Sequence, residues 1–229
     1  MFFDPAYFLF LAPGFLLAIW AQWRIHSAYE EASRIVPRSG YSGAEAANSL
    51  LHTAGLTNVA IEPAQGFLSD HYVPGEHVLR LSPDVYQGRS LAAVGVAAHE
   101  TGHAFQDANR YPLLVMRNGL VPLASLGGNL SMILLMIGFL LHFAGLIYLG
   151  IVVFSFTVLF QLVNLPVEFD ASRRARLALV DNGLVTPEEE VVVGKVLNAA
   201  ALTYVAATLT AVLQLLYFLF RAGAFRGRD

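Results

Sequence analysis

Long runs without charge constrain this chain more than any other feature. From Pro5 to Trp23 there is no charged side chain, a length close to the ~20 residues a helix needs to cross a bilayer core. Between Arg117 and Glu168 the sequence carries no acidic or basic residue apart from His142, enough chain for two crossings joined tightly at Leu141-His142-Phe143-Ala144-Gly145. A last uncharged run separates Lys195 from Arg221. Four transmembrane helices are therefore expected, at 5–23, 118–141, 144–167 and 196–220. The composition agrees, because 56% of the 229 residues are hydrophobic and only 14% are charged, against roughly 25% in soluble domains.

The first span is expected to be retained rather than cleaved, since Met1-Phe2-Phe3-Asp4 is not basic and the stretch from Trp20 to Arg24 is bulky. Ser125 and Gly127-Gly128 on the second span, and Ala199 to Ala201 with Ala206-Ala207 towards the fourth, supply small residues for close helix contact in a bundle. A pore is not indicated, and no acid or base lies inside a span to carry a transported ion. A net charge of -3 offers no field for nucleic acid. With no cysteine, any metal ligands must be His, Asp or Glu.

If spans two and three form a hairpin, the segments before Arg117 and after Glu168 lie on one face of the membrane. All the Lys and Arg except Arg221, Arg226 and Arg228 fall in those two segments. The positive-inside rule then places that face in the cytoplasm of a multi-pass cell-membrane protein, with the three C-terminal charges arguing the other way.

Residues 24–111 are long enough for a small α+β unit. Ser42 reads as an N-cap, Ala44 to Thr53 as a helix and Gly55 as its stop. Asn58 to Pro63, Gly66 to Tyr72 and His77 to Leu81 read as two or three short strands. Ser82-Pro83-Asp84 can start a helical turn, and Ser90 can cap an Ala-rich helix. Thr186, Pro187 and Glu188 to Glu190 mark one more helix start before the last span.

That Ala-rich helix carries His99-Glu100-Thr101-Gly102-His103. Residues at i and i+4 share a helix face, so both imidazoles can bind one cation while Glu100 sits beside it without ligating. The pattern suits metal-dependent hydrolysis: the cation polarises a carbonyl and acidifies water, and the carboxylate moves the proton. Gly102 leaves room for close packing between the two His. Catalytic zinc takes three protein ligands and keeps one position open. Glu168, directly after span three on the face assigned to His99, is the expected third ligand, in a Val167-Glu168-Phe169-Asp170 segment read as opening a helix through Arg173 and occupying 168–195 with its connection. Asp170 competes for that place, or accepts a hydrogen bond from a ligand ring; ordinary helix N-terminal acids are the structural alternative for both. Asp107, one turn past His103, is a further candidate acceptor for a ring, with a solvated acid the favoured reading. His71 can contact a transition-state oxyanion, whereas His77, His26, His52 and His142 read as solvated.

Several segments carry a resemblance: Gly66 to Tyr72, Val78 to Ser82 with Val85-Tyr86, Ser90 to Gln106, Leu165 to Ser172, and Val196 to Tyr204. Through them the chain resembles the bacterial YugP-like neutral zinc metallopeptidases along nearly its whole length. The resemblance implies a membrane-bound, gluzincin-type peptidase with a zincin-like catalytic unit, Zn2+ held by His99, His103 and Glu168, and Glu100 as base. The chain is also distantly similar to the HtpX and CAAX prenyl protease group. In that group an Asp commonly follows the ligand Glu by four positions; here Ser172 stands there.

The expected architecture is a four-helix transmembrane bundle with a small α+β catalytic unit. The expected function is zinc-dependent hydrolysis of a peptide or membrane-protein substrate at the membrane face, with an edge of the 66–81 strands receiving it. A non-catalytic scaffold or chaperone-like protein with a structural zinc is the rival, disfavoured because such a site has no use for Glu100. The partners are the lipid bilayer and the substrate, with room for membrane partner proteins or a second copy.

Overall fold

A computed structural model describes residues 4–66 and 69–223. Phe67 and Leu68 in the expected 66–72 strand, Met1 to Phe3, Arg226, Arg228 and Asp229 lie outside the described residues. The elements in chain order are α1 (Pro5–Ser33), α2 (Gly43–Thr53), β1 (Ala60–Pro63), β2 (His71–Val73), β3 (Val78–Leu81), α3 (Pro83–Tyr86), α4 (Leu91–Ala108), α5 (Pro112–Leu140), α6 (Ala144–Asp181) and α7 (Pro187–Arg221). Helices α1, α5, α6 and α7 are each long and apolar enough to cross a membrane. The chain forms two compact units, one from Met1–Ala21, Val115–Pro166 and Leu202–Asp229, the other from Gln22–Leu114 and Val167–Ala201.

The first unit packs Leu135, Ile151, Phe154, Val158, Ala211, Tyr217 and Phe218 into a core, while Leu9, Leu16, Ile19, Leu126, Leu140 and Val152 stay exposed, as suits helices whose outer surface meets lipid. A Cβ on Gly127 would sit 2.9 Å from the Val153 carbonyl, so this glycine does allow close helix contact. Gly128, expected to do the same, faces open space, and Ala207 is exposed. The α5–α6 turn closes at 141–143: His142 adopts a left-handed φ of 54°, and the Phe143 amide reaches back to the Gly138 carbonyl at 2.9 Å, the six-residue closure that ends many helices.

The second unit is organised around α4. Ser90 Oγ accepts from the Ala93 amide and caps it, and its apolar first half is almost wholly buried, from Leu91 to Ala98 with Val96 partly exposed. Helix α2 carries a full capping box, with Ser42 and Glu45 each serving the other's amide, and it stops at Gly55 with φ +73°. Thr186 and Glu189 form a second such box at the start of α7. The sheet order is β1-β3-β2, with β1 parallel and β2 antiparallel to β3. Strand β3 begins at Val78 rather than His77, because His77 has φ 51° and belongs to the preceding turn. Ser82 stands at the N-cap of α3 but its side chain makes no capping bond; its hydroxyl and amide donate to Asp70 instead.

One boundary differs in a way that bears on function. No helix opens at Val167: α6 runs unbroken through Pro166 to Asp181. A proline removes one backbone donor, and in a long apolar helix that loss does not stop propagation. Glu168 and Asp170 are therefore mid-helix residues, and stabilisation by a helix N-terminus does not account for them.

Candidate metal centre

The site belongs to the second unit and is built where α4 meets α6. The rings of His99 and His103 lie one helical turn apart with centroids 4.9 Å from each other. Glu168 comes from α6, and its Oε2 is 3.3 Å from His99 Nε2 and 3.7 Å from His103 Nε2. One ligand atom from each of the three residues falls within 4.8 Å of the others. Glu168 is 3% exposed, and its Oε2 is the one buried side-chain polar atom among the described residues with no hydrogen-bond partner. A carboxylate oxygen in that position is costly unless a cation satisfies it. Two imidazoles and a carboxylate are a donor set suited to zinc, which commonly takes three such protein ligands and a fourth from water.

Close approach of the helices produces this convergence. A Cβ on Gly102 would lie 2.5 Å from the Ala171 carbonyl oxygen, so only glycine lets α6 come this near between the two imidazoles. Behind the rings, His99 Nδ1 is 3.1 Å from Ser172 Oγ and His103 Nδ1 is 3.0 Å from Gln106 Oε1. The outer nitrogens are thus engaged, and the Nε2 atoms face Glu168. Burial pushes the His103 pKa down, but the Glu168 and Glu100 carboxylates outweigh it and hold the ring above the ordinary histidine value.

The remaining expected residues are distributed as follows. Glu100 is partly buried on α4, near enough for its charge to act on His103. Asp170 points at the site's outer layer: Oδ2 accepts from Gln106 Nε2 at 3.0 Å, and the carboxylate pairs with Arg173 and Arg174. Asp107 holds the Tyr72 hydroxyl at 2.9 Å, while the ring nitrogen of His103 is taken by Gln106. His71 is exposed on β2, with Nδ1 2.7 Å from the Ser69 carbonyl. His77 lies 3.7 Å from Asp107.

Gln106 and Ser172 are the functional residues that sequence reasoning passes over. For Gln106 the available signal was position: it follows His103 by three residues, on the same helix face. Ser172 was visible only as a departure from a pattern, although it stands where a ring acceptor is needed.

Over residues 7–223 the chain matches the protein family described as "Putative neutral zinc metallopeptidase". It is 46% identical to the "Putative membrane protease YugP" of Bacillus subtilis (strain 168), over 212 residues that make up 92% of this chain and 94% of the relative. No solved structure matches it.

Proposed function

The chain belongs to the neutral zinc metallopeptidase family that it matches, and from that premise we propose that it is a membrane endopeptidase. In this reading His99, His103 and Glu168 hold Zn2+ in a gluzincin-type arrangement and Glu100 is the general base. The observation that carries the reading is the convergence of two Nε2 atoms on a buried Glu168 oxygen that has no other partner. A zinc ion held there supplies Lewis acidity toward a peptide carbonyl and toward water. Glu100, next to the ligands but not among them, accepts the proton of the attacking water and delivers it to the departing amine. Ser172 and Gln106 keep the two rings from rotating away.

Among the described residues strand β2 lies at an edge of the sheet and pairs with β3 alone, and in this reading its other side takes an extended peptide by strand addition. In the same reading His71, exposed on that strand, contacts the developing oxyanion. The reaction takes place at the cytoplasmic face, which the distribution of Lys and Arg favours.

The test is Glu100→Gln against the wild type, both purified and assayed for zinc content and for cleavage of a peptide library. The variant is expected to keep its zinc and to lose turnover by at least about 100-fold, the lower range for general acid–base catalysis. Equal turnover in the two proteins would leave a structural zinc site in place of an enzyme.

A further inference from the structure

We propose that Gln106 is a positioning residue that joins the two ligand-bearing helices through one amide, fixing the tautomer of His103 and holding the turn of α6 that presents Glu168. The inference rests on the reading of His99, His103 and Glu168 as a metal site.

Gln106 is fully buried, and its hydrogen bonds fix which way the amide faces. Nε2 donates to the Val167 carbonyl at 2.8 Å and to Asp170 Oδ2 at 3.0 Å. Both partners are acceptors with no hydrogen to give, so the nitrogen must face α6 and both of its protons are used. Oε1 therefore faces His103 Nδ1 at 3.0 Å, and an amide oxygen can only accept. The proton of a neutral His103 ring must then sit on Nδ1, which leaves the lone pair on Nε2, the atom directed at Glu168. Val167 immediately precedes Glu168 on α6, so the same side chain grips the backbone at the third ligand. Asp170 is steadied in turn by Arg173 and Arg174, each at 2.5 Å.

The His99 side has no equivalent. Its Nδ1 meets the Ser172 hydroxyl, which can donate or accept and so selects no tautomer. The amide at position 106 accepts from His103 while donating two bonds to α6. A carboxylate would accept from His103 but turn an anion toward Asp170 and the Val167 carbonyl; a methionine would fill the volume and bond to neither.

The experiment uses the full-length protein in detergent, with zinc affinity measured by chelator competition and the absorption spectrum of the cobalt(II)-loaded form as a second readout. Gln106→Glu and Gln106→Met are both expected to weaken zinc by about 10–100-fold, the range for partners of ligand histidines, and to shift the cobalt spectrum. Asp170→Asn, which loosens one of the amide's two anchors without altering α4, should shift the spectrum in the same direction by less, and it carries the test if neither Gln106 variant folds. A merely structural Gln106 would lower the thermal stability of the metal-free protein and leave affinity and spectrum unchanged; that result overturns the inference alone. Wild-type protein that takes up no zinc, or Glu168→Gln that takes it up as well as wild type, overturns the metal reading and the inference with it.

Discussion

Where α4 meets α6, Gly102 brings backbone against the Ala171 carbonyl, and the Gln106 and Ser172 side chains bond across to the Val167 carbonyl and the His99 ring. The sheet reaches the same helix differently, with the Tyr72 hydroxyl of β2 donating to Asp107 in the last turn of α4. The Gly102–Ala171 approach leaves no rotamer to adjust and the Gln106 amide is held by two bonds at once, whereas a single hydroxyl on a carboxylate can shift with its side chain. The helix pair should therefore hold the ligands in place and the sheet should tolerate change. Glu168→Gln is the largest blow to the helix side. It keeps the volume and the burial but removes the anionic ligand, and zinc affinity measured by chelator competition should fall by more than about 100-fold, beyond what partners of the ligands alone contribute. A loss no greater than that of a sheet variant would erase the distinction.

Next in size is Gly102→Ala. The added Cβ meets the Ala171 carbonyl at 2.5 Å, and main chain cannot swing aside, so the helices must separate. A loss of about 1–3 kcal/mol in stability is expected, as for other overpacked interiors, together with about 10-fold or more in zinc affinity. Unchanged affinity in a folded Gly102→Ala protein would show that the helix spacing is not what aligns the ligands.

Acid gives a third and graded probe. With its pKa raised by the carboxylates around it, His103 holds a proton to higher pH than a free histidine, whose value is about 6.5. Zinc needs the neutral ring, so affinity should fall by about tenfold per pH unit below the raised value. The sign reverses for the metal-free protein: the stability this ring contributes is fully present below about pH 6.5 and is lost as pH rises through the folded value. Titrating zinc affinity and metal-free stability over the same pH range checks both directions.

Much of the fold is legible before any coordinates, because its signals are local. Ser42, Ser90 and Thr186 announce helix starts, Gly55 announces a stop, and runs without charge mark the apolar stretches of α5 and α7. The pairing of His99 with His103 is equally local. What escapes is what depends on distant partners. Pro166 followed by Val167-Glu168 looks like a boundary, yet α6 continues: an interior proline costs a helix about 3 kcal/mol, a loss that neighbouring helices offset in long apolar spans. The order β1-β3-β2 depends on packing against α4, which no short pattern encodes. Asp107 and Gln106 are neighbours with opposite fates: the acid reads from sequence as solvated or as an acceptor for a ligand ring, but the turn of the helix directs it to Tyr72 and the neutral amide to His103.

Tyr72→Phe should be the mildest change and the sharpest check on the sheet side. Burial, and then the bond to Asp107, push the Tyr72 pKa well above its ordinary value of about 10. Below pH 10 the hydroxyl stays protonated in folded and unfolded chains alike, and its bond to the carboxylate contributes about 1–2 kcal/mol. Above that pH the unfolded chain loses the proton while the folded one keeps it, so the contribution shrinks as pH rises. Chemical denaturation at pH 7 and pH 10.5 should therefore find wild type and variant further apart at the lower pH. Zinc affinity should change by no more than about threefold, less than the 10–100-fold attached to residues that touch a ligand ring. A larger fall would mean that the Tyr72–Asp107 bond helps set the position of His103, and that the sheet shares the work of the helices.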